Sequence, residues 1–150
     1  MKILQAVPFF SPVHGGSAIA PYHLSRELTK RGHEVTVFTS DYKLSREWAE
    51  SSDQVKVHSF KTWSSWSKFY LTPTLMKTAK DEIKHFNLIH MHNYRTFQNI
   101  VVHHYAKKYG VPYVLQAHGS LPRIMAWQRL KWVYDVLFGY RLLRDASKVV

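Results

Sequence analysis

Cysteine is absent from the 150-residue chain, which excludes disulfide staples and thiolate chemistry. No apolar run approaches the ~20 residues a membrane-spanning helix needs. The N-terminus leads straight into a strand pattern at Lys2–Phe10, without the apolar core and small-residue cleavage site of a secretion signal. A cytoplasmic setting is the expectation. Acidic residues are also scarce: 10 against 21 lysines and arginines, a formal net charge of +11. None occurs between Glu82 and Asp135, whereas Lys84, Arg95, Lys107, Lys108, Arg123, Arg129 and Lys131 fall there, with six of the 10 histidines. Such a field attracts anions: phosphates, nucleic acid or an anionic membrane surface.

What is present is enough for one domain with its own core, since 45% of the residues are hydrophobic. Apolar runs alternate with helical patterns along the whole chain. Strands are expected at Lys2–Phe10, Glu34–Thr39, Val55–Phe60, Leu88–His92 and Tyr113–Ala117, with another starting at Val149. Helices are expected from Ser17 or Ala18 to Arg31, from Thr72-Pro73 to about His85, from Thr96 to Tyr109, and from about Pro122 to Leu143. On the last of these, Leu130, Val133, Leu137 and Tyr140 have the spacing of a face packed on a sheet. Thr62–Leu71 carries four aromatics and no clear period. The order β-α-β-β-α-β-α-β-α-β fits an α/β, Rossmann-like, doubly wound parallel sheet. A sheet that stops as a new strand begins is expected to be half of a larger architecture.

In such sheets ligands bind outside the carboxyl ends of the strands, where strand order reverses. After the first strand come His14, Gly15, Gly16 and Ser17; after the fourth, His92, Asn93 and Arg95; after the fifth, His118, Gly119 and Ser120. All should line one crevice if strands one and four flank the reversal. Glycines before a helix let the backbone approach a ligand, and the free N–H groups favour an anion. The gap from strand to helix is too long for the tight GxGxxG turn, and no GK[ST] follows, so neither phosphate-loop fingerprint is met. His90 and His92 share one face of their strand, and with His118 and His14 they raise a zinc site. No carboxylate or cysteine completes that shell, and imidazoles bonded within a core are commoner, so no metal is expected. No nucleophile with a supporting base stands at this edge.

These segments resemble the N-terminal domain of GT-B glycosyltransferases, in the retaining family-4-like group. The opening KILQAVPFFSPVHGGSAIAPYHLSRELTKRGHEVTVFTSD is similar to that family's first strand, Gly-Gly loop, helix and second strand; LIHMHN, GVPYVLQAHGS and the helix ending at Asp145-Ala146-Ser147 follow in the family's order. The resemblance implies half of a GT-B architecture, to be completed by a C-terminal nucleotide-sugar domain. It implies that Gly15, Gly16 and Ser17 approach the diphosphate of a nucleotide-sugar donor and that His118 contacts the transferred sugar or its phosphate. His14, His92, Asn93, Arg95, Gly119 and Ser120 would line the acceptor side, the acceptor being a sugar or a lipid-linked sugar. It also implies transfer with retention, without a metal or other cofactor, and a fragment inactive alone. Trp127, Arg129, Lys131 and Trp132, with Trp63, Trp66, Lys68, Phe69 and Tyr70, add an anionic membrane surface as a further partner. The rival readings are a nucleotide or phospho-sugar binding module without turnover and, last, a nucleic-acid binder. The last lacks any recognised motif, and its cations are spread over several helices.

Overall fold

The computed structural model describes residues 1–11, 15–50, 54–66, 69–122 and 127–150, without the side chains of Arg46 and Trp66. Among these residues, eight strands and six α-helices follow in chain order. They are β1 Lys2–Ala6, α1 Gly16–Lys30, β2 Glu34–Ser40, α2 Arg46–Glu50, β3 Lys56–Phe60, β4 Ser64–Trp66, β5 Phe69–Leu71 and α3 Leu75–Glu82. After α3 come β6 Leu88–His92, α4 Phe97–Tyr109, β7 Tyr113–Gln116, α5 Gln128–Tyr134, α6 Tyr140–Arg144 and β8 Lys148–Val149.

Six of the strands form one parallel sheet in the order β3-β2-β1-β6-β7-β8. Counted along that sheet alone, this is 3-2-1-4-5-6, the doubly wound order in which the chain reverses between β1 and the fourth sheet strand, β6. The β1–β6 register, Ile3 opposite Leu88 and Ala6 opposite Met91, therefore places the loops after β1, β6 and β7 around one crevice. The expected strands one and four do flank the reversal.

Alternation along the strands separates two faces. Leu4, Ala6, Phe38, Ile89, Met91 and Leu115 point to the side covered by Leu75, Ala79, Ile83, Val102 and Ala106 of α3, its terminal turn and α4. Leu4, Ile89 and Leu115 are fully buried, each contributing roughly 1.5–3 kcal/mol relative to exposure. On the other face Val7, Phe10, Tyr22 and Val37 form a smaller core beneath α1. Local signals set the helix ends: the Thr96 hydroxyl accepts from Asn99 N to start α4, and Gly110, at φ 68°, closes it in the left-handed conformation.

Three segments differ from the sequence expectation. Thr62–Leu71, which showed no clear period, contains an antiparallel hairpin, Ser64 pairing with Leu71 and Trp66 with Phe69. It is held by Tyr70, whose ring meets Phe9 edge-on and Tyr42 obliquely, and by Gln98 Nε2 donating to Tyr70 O. Three-residue strands are too short to show a period. The polar stretch after β2 holds the short helix α2, whose Trp48 stacks on Tyr22. The long last helix begins at Gln128, not Pro122; it passes through a π turn, Asp135–Gly139, before α6.

That last helix is also turned the other way. Leu130, Val133, Leu137 and Tyr140 are 41–52% exposed, while Asp135, Gly139 and Leu142 are buried. The inner stripe is polar because Asp135 is paired. At Gly139 any Cβ would collide with Tyr94 Oη and lie 2.9 Å from Tyr94 Cζ, so the helix approaches the sheet's end only through a glycine.

Candidate functional site

The site is built from the backbone first. After β1 the described chain resumes at Gly15, whose φ of 71° and ψ of −156° suit glycine. Ala18 N and Ile19 N both donate to Gly15 O, so the Gly16 and Ser17 N–H groups lie ahead of the first bonds of α1 and face outward from its N-terminus. Among the described residues, a Cβ on Gly16 would meet nothing within 4 Å. After β6 and β7, Asn93 (φ 61°), His118 (φ 48°) and Gly119 (φ 73°) all take left-handed backbone. Two non-glycine residues held there at one sheet edge mark a place where the fold imposes local strain.

The side chains sort into two groups. His118 is half-buried, and its Nε2 lies 2.9 Å from His92 Nδ1. His92 is fully buried, and its Nε2 is bonded to Gln5 Oε1. His90 stacks obliquely on His92, with ring centroids 4.2 Å apart. Among the described residues nothing bonds His118 Nδ1. Burial pushes all three imidazoles below their usual value of 6.5; His90 falls to about 4, with His118 adding to the burial effect and a hydrogen bond to Gln116 opposing it. The three rings stay neutral at physiological pH.

The second group is a clasp. Arg95 Nε and Nη2 donate to Asp135 Oδ1 and Oδ2 at 2.9 and 2.7 Å, a two-pronged pair whose side chains are 12% and 5% exposed. Nη1 donates to Ser120 O, and Nη2 also to Leu121 O. Ser120 Oγ accepts from Tyr94 N and donates to Ala117 O. Tyr134 Oη donates to Tyr94 O and Thr96 O. One cation thus ties the loop after β7 to the last helix.

The structure accordingly gives the expected site residues different places. Gly15, Gly16, Ser17, His118, Gly119 and Asn93 stand at the crevice edge. Asn93 Nδ2 is buried without a partner. His92, expected to line the acceptor side, lies behind His118 instead, because its ring is consumed between Gln5 and His118. Arg95 is likewise engaged by Asp135 and two carbonyls, and the Ser120 hydroxyl bridges the backbones of the loops after β6 and β7. His14 lies outside the described residues. Sequence reasoning missed Gln5 and Asp135. A glutamine inside an apolar strand (KILQA) and an acid ending a long acid-free interval were the available signals. The zinc reading meets a physical obstacle, since both nitrogens of His92 are already bonded, and no cluster of three ligating side chains occurs among the described residues. Grooves of about 220 and 310 Å³ lie at the opposite, N-terminal ends of the strands, beside Tyr113 and Asp145 and beside Lys2 and His58; topology places ligands at the other edge.

The neutral histidines give a pH prediction. Between pH 6.5 and about 4 the unfolded chain binds a proton at His90 that the folded chain does not. Stability therefore falls as pH decreases through that window, by up to about 1.4 kcal/mol per pH unit for each such group. Urea denaturation at pH 7.5 and 5.0 should show a shallower loss in His90→Gln than in the wild type; identical losses would contradict the assignment.

A parallel sheet reversing between β1 and β6, with a glycine-led helix N-terminus and a loop histidine at its carboxyl edge, defines a Rossmann-like α/β domain. The chain belongs to Glycosyltransferase Family 4, whose family model matches residues 14–150. No curated protein matches the sequence in a pairwise comparison. Among solved structures, it is similar to HepE of Anabaena, determined in complex with UDP and glucose, with a TM-score of 0.69 and 18% identity over 99% of this chain and 37% of that one. It is also similar to MurG of Acinetobacter baumannii, with a TM-score of 0.60 and 10% identity over 99% of this chain and 40% of that one. The chain therefore spans well under half the length of either. An NAD-bound UDP-glucose-4-epimerase from Stenotrophomonas maltophila shares the fold at a TM-score of 0.51 and 11% identity, over 94% of this chain and 48% of that one, so the sheet alone does not specify the chemistry.

Proposed function

We propose that this chain is the N-terminal, acceptor-side half of a retaining glycosyltransferase. That enzyme moves a sugar from a nucleotide-sugar donor to an acceptor hydroxyl, and a second α/β domain supplies most of the nucleotide contacts. The observation that carries the reading is His118. It is a neutral imidazole held in left-handed backbone at the carboxyl edge of the sheet, with β6 alone between its strand and β1, whose following loop leads to the Gly16 and Ser17 amides, in a chain matched by the family model.

The chemistry follows from those groups. The Gly16 and Ser17 N–H groups and the α1 dipole favour negative charge, so a departing nucleoside diphosphate gains stabilisation there as the glycosidic bond breaks. His118 offers a ring nitrogen to the sugar, and Asn93 a side-chain amide with unused donors. Neither is a nucleophile, and no step here requires a metal. The isolated chain is expected to be inactive, for want of the second domain.

Two measurements test this. The coding sequence past Val150 should continue through a second α/β pattern; a stop codon there would instead favour a binding module without turnover. In the two-domain protein, NMR of the product formed from an α-linked nucleotide-sugar should show an α-linkage, and a β-linked product would exclude retention.

The acceptor side also supports membrane attachment. No helix among the described residues is long and apolar enough to cross a membrane, yet the outer face of the last helix carries Leu130, Trp132, Val133, Val136, Leu137 and Tyr140, all more than 40% exposed. Arg129, Arg141 and Arg144 flank it. Aromatics above an apolar stripe with basic flanks suit an anionic lipid surface, each cation adding ~1 kcal/mol. The hairpin contributes Trp63, 68% exposed, whereas Tyr70 is buried and Trp66 and Lys68 have no described side chains. The chain should float with vesicles rich in anionic lipid but not with zwitterionic ones, and Leu137→Glu should abolish flotation. Equal failure with both vesicles would exclude the attachment.

A further inference from the structure

Behind His118 runs a buried polar chain that the transfer chemistry does not itself use. Gln5, in the middle of β1, is fully buried. It lies opposite His90 in the β1–β6 register, and its Oε1 meets His92 Nε2. The other nitrogen of the same ring, Nδ1, meets His118 Nε2 at 2.9 Å. A glutamine and a histidine buried in the central strands, where Val or Ile would pack with no desolvation cost, require a reason.

We infer that Gln5 and His92 are positioning residues that fix the tautomer and ring orientation of His118. A neutral imidazole carries one N–H, so one of its nitrogens donates and the other accepts. A carbonyl oxygen can only accept. Gln5 Oε1 therefore places the His92 proton on Nε2, which leaves His92 Nδ1 as an acceptor. Nδ1 then takes its hydrogen bond from His118 Nε2–H. It follows that His118 carries its proton on the inward nitrogen and holds an unprotonated Nδ1 for the crevice. The arrangement is thus matched to a hydrogen-bond donor on the ligand, such as a sugar hydroxyl, and not to a fully ionised phosphate oxygen, which would need a donor. Turning the Gln5 amide over would reverse every proton in the chain. The same three residues also lock the ring plane, since His92 and His118 stack at 18° with centroids 5.3 Å apart.

This assignment rests on the proposed role of His118, but its test needs no substrate. Long-range ¹H–¹⁵N correlation spectra of the chain report which imidazole nitrogen carries the proton. The wild type should show His118 as the Nε2–H tautomer by about ten to one or more, the bias one buried hydrogen bond gives. Gln5→Glu, which keeps an acceptor at that point, should preserve it. Gln5→Met, which offers His92 no acceptor, should give a mixture of both tautomers, and His92→Phe should do the same. An Nδ1–H tautomer in the wild type, or one unchanged tautomer in the wild type, Gln5→Met and His92→Phe, would overturn the inference. If the tautomers behave as expected but His118→Ala leaves full transferase activity, the functional reading fails and the positioning chain stands.

Discussion

Replacing Asp135 with alanine is expected to destabilise the chain by about 3–5 kcal/mol, the cost of leaving a buried charge without its partner. The size follows from where the pair sits. Arg95 and Asp135 are 12% and 5% exposed and joined by two hydrogen bonds, whereas an exposed pair such as Lys30–Glu27, 63% and 55% exposed, is screened by water and contributes little. Arg95 would keep its bonds to the Ser120 and Leu121 carbonyls but would lose the one carboxylate that, among the described residues, neutralises it. Arg95→Ala should cost a similar amount for the converse reason, and the loop carrying His118 would lose its tie to the last helix. Because the penalty comes from an orphaned charge, the double variant Arg95→Met with Asp135→Leu should recover much of it. Urea denaturation followed by circular dichroism at pH 7 measures all three. A loss below about 1 kcal/mol in either single variant would place the pair with ordinary surface contacts.

The second large effect is on turnover. In the two-domain protein His118→Ala should lower kcat by roughly 10²–10³, the loss seen when one preorganised polar group is removed from a reacting centre. The fold should survive, since His118 is half-buried and its neighbours Ala117 and Gly119 hold the turn. Gly16→Val is the complementary change. Gly16 is in ordinary helical backbone, and no described residue lies within 4 Å of where its Cβ would stand, so stability should change little. The side chain would occupy the approach to the Gly16 and Ser17 amides and weaken nucleotide-sugar binding at least about tenfold, or 1.4 kcal/mol. Full activity in both variants would show that the crevice has been placed wrongly even though the family is right.

The sheet was readable in the sequence because its signals are local and strong. LIHMH and YVLQA are buried parallel strands, GHEV is the turn into β2, and Gly110 before Val111-Pro112 is a helix stop. The crevice edge followed from topology, since loops after β1, β6 and β7 meet once β1 and β6 are neighbours. What was not readable depends on pairs distant in sequence. Arg95 and His92 have the residue types of a binding site. Whether they face a ligand or one another is decided by Asp135, 40 residues from Arg95, and by Gln5, 87 residues from His92. The last helix misled for a related reason. Its Leu130–Val133–Leu137–Tyr140 stripe has core spacing, but the inward stripe is Asp135–Gly139–Leu142, and periodicity cannot tell which of two stripes packs when a buried ion pair and a glycine contact occupy the inner one.

The central claim is that a nucleotide-sugar meets this chain at the carboxyl edge of its sheet. Amide chemical-shift mapping of the chain with millimolar UDP-glucose tests it most directly. Shifts are expected at Gly16, Ser17 and Gly119 and at the His118 imidazole, all weakened in Gly16→Val. Shifts confined to the cations of the last helix, or unaltered spectra at those four positions, would contradict it.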